Sequence, residues 1–149
     1  MVLYYRVPGL LASIALIIYA VFLLAIFKLI NVTLTLAGIG GVILSIGMAI
    51  DANILIFTRM QEELSKGRSF GQSVEDGFSR AWPAIRDGNA TTLLVGFILM
   101  FLGTSFVKGF AVTLNIGIIL SMFSAIVVTR SFLRMFVGTR LEKVNWLWK

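Results

Sequence analysis

The residues that could do chemistry in this chain are few, and the first lies in the stretch Gly47-Met-Ala-Ile-Asp51-Ala-Asn53-Ile-Leu-Ile-Phe57. Asp51 sits inside an almost wholly apolar run: the nearest charge before it is Lys28 and the next after it is Arg59. A carboxylate at membrane depth costs about 2.5–3.5 kcal/mol on insertion scales, so it has to be neutralised, paired or functional. Desolvation favours its neutral form, and the chemistry this opens is the loading and release of a proton. The alternative is a structural acid, hydrogen-bonded or paired with a basic residue of another chain. No Lys or Arg lies mid-membrane in this sequence, so a charged partner must come from elsewhere.

Helical spacing sets the surroundings of the acid. Residues three or four apart share a helix face, which puts Gly40, Leu44, Gly47 and Met48 behind Asp51 and Ile54, Leu55 and Thr58 ahead of it. Glycines such as Gly47 allow another helix to approach closely, so Asp51 is expected to face a bundle interior rather than lipid. Asn53, two residues on, points to nearly the opposite face and is expected to make an interhelical hydrogen bond. A second cluster, Arg86-Asp87-Gly-Asn89-Ala-Thr91-Thr92, opens a later apolar run. Asp87 is well placed as a helix N-cap there. Thr91 and Thr92 could hydrogen-bond between helices or line a wet path, and a packing role is favoured over a catalytic one. Further on, Gly117, Ser121, Ser124 and Val128 form a small-residue packing stripe, with Asn115 on a different strip.

Composition closes off other chemistries. The chain has 149 residues, 58% hydrophobic and 13% charged, where a soluble domain carries about 25% charged residues. It has no cysteine and no histidine, which removes disulfides, thiolate metal sites and the usual zinc ligand and neutral-pH base. Gly38-Ile-Gly40-Gly41 lies within an apolar run and lacks the strand context of a phosphate loop. There is no Ser-His-Asp set, and the sequon Asn31-Val-Thr33 reads as accidental. The reading is therefore of a non-enzyme without cofactor or metal.

The elements that must position these residues are membrane helices. Charge-free runs of about 20 residues suffice to cross roughly 30 Å of hydrocarbon, and four are expected, near 9–29, 34–58, 89–106 and 110–136. Nothing at Met1 reads as a cleavable signal peptide. Eleven of the thirteen basic residues fall on one side, before the first run, between the second and third, and after the fourth; only Lys28 and Lys108 fall opposite. The positive-inside rule makes that side cytoplasmic, with both termini inside, and it accounts for the net charge of +6 without nucleic acid. The connections 28–33 and 103–109 are short enough for hairpins. The inner connection 59–87 is longer and carries ten charges. In it Gly67 can end a helix, and Ser69 with Gln72 fits a capping box. Phe70, Val74, Phe78, Ala81 and Ile85 then recur at helical spacing, predicting a short amphipathic helix at the inner membrane face, or a soluble helix packed on a partner. Pro83 should break it before the third span. Arg130 and Arg134 read as anchors, and the tail 141–149, with Trp146 and Trp148 beside Lys143 and Lys149, as an interfacial or frayed end. The fold class is thus all-α, a polytopic membrane helix bundle and a single transmembrane domain over 1–149, with a cytoplasmic tail 137–149.

Several of these motifs, in order, resemble the bacterial SecD/SecF family. They are Gly-Met-Ala-Ile-Asp51-Ala-Asn53-Ile-Leu-Ile-Phe-Thr-Arg59, then Glu62-Glu-Leu-Ser-Lys-Gly67-Arg68, then Asp87-Gly-Asn89-Ala-Thr-Thr92-Leu, then Gly103-Thr and Val107-Lys-Gly-Phe-Ala111, then Gly117 to Arg130. The resemblance is to SecD subunits and covers nearly the whole chain. It implies an accessory part of the Sec translocon, related to resistance-nodulation-division transporters, that uses the proton-motive force to help draw secreted chains across the bacterial inner membrane. It implies that Asp51 belongs to the proton pathway and that its charged counterpart lies in a SecF-like half. The implied partners are a SecF-like subunit, the SecYEG translocon, YajC and YidC, secreted chains as substrate, protons and membrane lipid. By the same resemblance Met1–Pro8 is the tail of a preceding helix, the four spans are the family's third to sixth, and a large periplasmic domain is missing. The chain is then expected to be a fragment that translocates nothing on its own. Rival readings are another proton-driven transporter of that superfamily, of an efflux or lipid type, and a structural membrane assembly module without transport activity.

Overall fold

A computed structural model describes residues 2–137, with side chains from Val7 onward; the expected tail with Trp146 and Trp148 lies outside the described residues. The elements are α1 (Val2–Leu29), α2 (Leu36–Ser65), α3 (Phe70–Leu102), α4 (Ser105–Phe123), a π-helical segment (Ser124–Thr129) and α5 (Arg130–Phe136). The last three run end to end. The result is four antiparallel rods, each long and apolar enough to cross a membrane, and the described residues contain no strand. Val2–Pro8 is part of α1 rather than the end of a separate helix.

The turns follow local chemistry. Asn31 takes φ 52° after α1, and Thr35 caps α2 by accepting the Gly38 N–H at 3.1 Å. At the other end of α2, Gly67 adopts φ +82°, the left-handed stop that glycine permits. Ser69 then caps α3, accepting the Gln72 N–H at 3.4 Å. Between α3 and α4 the turn needs Gly103, because a Cβ there would lie 2.3 Å from the Leu99 carbonyl oxygen.

The largest departure from expectation is α3. No separate amphipathic helix is found among the described residues, and Pro83 does not end the helix: one helix of 33 residues carries Pro83 in its interior. The reason is packing. Phe70, Val74, Gly77, Phe78, Ala81, Ile85, Asn89 and Gly96 are all buried, a stripe that passes the proline without a change of register. An interior proline costs a few kcal/mol, and a stripe of that length outweighs it. Asp87 is consequently no N-cap. It lies mid-helix, exposed, paired with Arg86 at 2.8 Å.

Small residues let the helices close on one another. A Cβ at Gly41 of α2 would stand 2.3 Å from Thr113 Oγ1 and 2.6 Å from the Phe110 carbonyl oxygen of α4. A Cβ at Gly117 would meet Ser45 Oγ at 2.3 Å. There the buried Tyr19 hydroxyl of α1 lies 2.9 Å from Ser45 Oγ and 3.3 Å from the Gly117 carbonyl oxygen, tying three helices at one level. Gly117, Ser121 and Ser124 are buried, in line with the expected packing stripe. Apolar side chains such as Ile17, Phe22, Phe97 and Phe101 point outward, as lipid-facing or partner-facing residues do.

The end of the bundle that carries the α2–α3 turn is held by ion pairs. Glu63, only 1% exposed, has Lys66 at 2.6 Å, Arg80 at 3.0 Å and Arg68 at 3.2 Å. Glu75 of α3 takes both Arg130 and Arg134, so these arginines join helices as well as ending one.

The π segment places Thr129 against α2, where its hydroxyl donates to Asn53 Oδ1 at 2.9 Å, buried. This is the interhelical bond expected of Asn53. Bonds of this kind inside membrane proteins couple by about 0.6 kcal/mol, with a maximum near 1.7. A double-mutant cycle of Asn53→Ala with Thr129→Val is expected to return a coupling of about 1 kcal/mol in thermal or denaturant unfolding. Strict additivity would show that the bond contributes nothing.

Candidate functional site

Asp51 lies on α2 at its seam with α3, exposed on the surface of this chain. It borders an open-sided cleft of about 310 Å³. The other polar side chains there are Asn89 and Thr92 of α3, one turn apart; Met48, Leu55 and Ile85 supply apolar walls, and Ala52, Ala84 and Gly88 keep the wall low. Asp51 has no ion pair and no hydrogen bond among the described residues. The acid therefore does not face the interior of its own bundle. A Cβ at Gly47 or at Gly88 would meet nothing within 4 Å.

The physical reason is that α2 has two strips of small residues. Gly38, Gly41, Ser45, Ala49 and Ala52 are buried, and α4 packs on that strip. Gly40 and Gly47 lie on the strip shared with Asp51, where Gly40 and Asp51 are exposed and Gly47 is half-buried. Spacing alone marks both strips and does not rank them.

The remaining expected site residues divide. Asn89 is buried and lines the cleft. Thr92 lines it too, but its hydroxyl donates to the Gly88 carbonyl at 3.1 Å within its own helix. Thr91 is exposed outside the cleft and donates to the Asp87 carbonyl at 2.9 Å. Of the two roles open to these threonines, Thr92 lies where it lines the cleft, and neither hydroxyl bonds between helices: α3 turns Thr91 outward, and in each the carbonyl four residues back is the acceptor. Asn53 is on the buried side of α2 and Asp87 is nine residues before Gly96 on the exposed side of α3; neither reaches the cleft.

Two features were not foreseen. Glu63 continues the buried strip of α2 after Ile56 and Met60, and the steps of three and four residues could have revealed it. Asn115 presses its amide on Gly96 of α3, and nothing in the sequence pairs these two positions.

The fold and the cleft define a class: a multi-pass membrane helix bundle with, among the described residues, one unpaired acid on a lateral face. Residues 1–139 match the family described as protein export membrane protein SecD/SecF, C-terminal. The chain belongs to the SecD/SecF family. It is 60% identical over 148 residues to the protein translocase subunit SecD of Dehalococcoides mccartyi, covering 96% of this chain and 33% of that protein. It is 52% identical over 152 residues to the SecD of Thermobaculum terrenum, covering 99% and 30%. A crystal structure of SecDF, a translocon-associated membrane protein from Thermus thermophilus, matches with a TM-score of 0.88 at 37% identity over 91% of this chain and 19% of that one. SecDF in its super-membrane-facing form matches equally well, at 38% identity and over 18% of its length. The chain thus spans about a third of the SecD proteins it resembles and corresponds to their C-terminal membrane part.

Proposed function

We propose that this chain is the membrane part of a SecD-like accessory subunit of the Sec protein translocase, coupling proton flow to the export of secreted proteins, with Asp51 as the proton-carrying acid. The observation that carries the proposal is the unpaired Asp51, exposed at the edge of an open-sided cleft whose other polar side chains are Asn89 and Thr92. An acid so placed can exchange its proton with water or with a basic group of a second chain, and a SecF-like subunit is the partner that fits the family. SecYEG is the wider assembly, and secreted chains are the substrate of the whole complex; association with YajC and YidC rests on the resemblance alone. Eleven of thirteen basic residues on one side support cytoplasmic termini.

Infrared difference spectroscopy of the full-length SecD-like chain assembled with its SecF-like partner tests the central claim. We expect a protonated-carboxyl band that responds to pH and disappears in Asp51→Asn. A spectrum in which Asp51→Asn removes no such band overturns the proton-carrying role. A complex that still copurifies and exports normally with Asp51→Asn would instead favour an assembly module.

A further inference from the structure

In the seam between α3 and α4 one polar side chain is buried with nothing to bond. Asn115 is 5% exposed, and neither Oδ1 nor Nδ2 of its amide has a hydrogen-bond partner among the described residues. The amide is seated on Gly96: a Cβ there would lie 2.0 Å from Oδ1 and 3.0 Å from Nδ2. The glycine thus makes room for an amide that the protein leaves unsatisfied. Such groups are rare, because an apolar residue of the same shape avoids the desolvation.

The position of Gly96 gives the amide a meaning. Asn89, Thr92 and Gly96 are spaced i, i+3 and i+7, one face of α3. Asn89 and Thr92 line the Asp51 cleft. With a rise of 1.5 Å per residue, Gly96 lies about 6 Å beyond Thr92 along the axis. The face of α3 that carries Asn89 and Thr92 beside Asp51 therefore runs on to Gly96 and the Asn115 amide seated on it, in the direction of the α3–α4 turn and away from the basic end. The other buried polar atoms left without a partner, Ser73 Oγ and Arg130 Nε, belong to the basic end of the bundle and not to this face.

We infer that Asn115 is a positioning residue for water in the limb of the proton path that joins Asp51 to the α3–α4 end of the bundle. The inference rests on the proton-carrying reading of Asp51. The ligand is water: the amide offers two N–H donors and one carbonyl acceptor, which fix a water without taking a proton from it. An excess proton arriving along that water is taken by the Asp51 carboxylate, which becomes the neutral acid, and leaves it toward the basic end.

The test uses the full-length complex in proteoliposomes, with Asp51→Asn beside Asn115→Leu. Leucine keeps the size and removes the amide. The expected result is a melting temperature no lower than wild type, a several-fold loss of gradient-driven export and no change in export without a gradient. Unchanged gradient-driven export overturns the inference. So does a fall in melting temperature that tracks the loss, which would make the amide structural. If Asp51→Asn itself leaves export intact, the proton reading fails first; if Asp51→Asn abolishes gradient dependence while Asn115→Leu is inert, this inference alone falls. Because the chain has no cysteine, Asn115→Cys gives a second reading that does not depend on export. With any cysteines elsewhere in the full-length complex removed, a water-soluble thiol reagent should label that position in the assembled complex, and complete protection overturns the hydrated path.

Discussion

A full-length complex carrying Asp51→Asn is expected to export secreted protein no faster with a proton gradient than without one. The substitution preserves shape, and Asp51 packs on nothing that asparagine would disturb: it is exposed at the edge of its cleft and has no ion pair or hydrogen bond among the described residues. Folding and membrane insertion should therefore be unharmed, or slightly improved by the loss of a carboxylate from hydrocarbon. What is lost is the ability to carry a proton. Each charge crossing 100 mV brings about 2.3 kcal/mol, and all of that contribution should vanish. Asp51→Glu keeps the carboxyl and should retain part of the stimulation. The measurement is the initial rate of translocation into inverted vesicles with and without an ionophore. Stimulation that persists in Asp51→Asn would sink the proposal.

Gly77→Leu is expected to force α2 and α3 apart. A Cβ at Gly77 would lie 2.9 Å from both the Cα and the backbone N of Met60 and 3.1 Å from its Cβ. These are main-chain atoms that cannot rotate aside, so the helices themselves must move. Overpacking a core typically costs 1–3 kcal/mol; with backbone on the far side the upper end applies, about 3 kcal/mol, or roughly a hundredfold in the folding equilibrium. Gly77→Ala should have the same sign and a smaller size. By contrast, Gly47→Ala and Gly88→Ala meet nothing within 4 Å and should leave the fold of this chain as stable as before. Thermal unfolding in detergent, followed by the fluorescence of Trp82 in a chain stripped of its other tryptophans, reads the difference. Equal melting for Gly77→Leu and Gly47→Ala would contradict so close a crossing.

Much of the architecture was legible in the sequence because membrane helices announce themselves by what they lack. The charge-free runs locate all four rods, and Gly67 and Ser69 locate the α2–α3 turn through backbone rules that hold locally. Asn53 was legible as an interhelical donor or acceptor because it is polar and off the Asp51 face. Pro83 and Asp87 misled for one shared reason: each carries a local signal for a helix boundary, and the signal lost to a packing stripe running from Phe70 to Gly96. The side on which Asp51 emerges was hidden by the two small-residue strips of α2, which differ only in what other helices do. The π segment left no mark in the sequence at all, and its Thr129 contact required coordinates to be seen.

The unbroken α3 has a mechanical consequence. Its 33 residues make a rod of about 50 Å against roughly 30 Å of hydrocarbon, so about 20 Å of it stands clear of the lipid. The same rod forms one wall of the acid's cleft and, near its far tip, holds Glu75 in the grip of Arg130 and Arg134. The tight crossing at Gly77 and Met60 lies between that wall and Glu75, as a fulcrum does. Asn89 is twelve residues past that fulcrum, about 18 Å along the axis, so a tilt of only about 5° would swing it by about 1.5 Å. That is more than the span between a good hydrogen bond and none. Because α3 is continuous across Pro83, a tilt of the protruding tip would be carried along one helix to the wall of the acid's cleft.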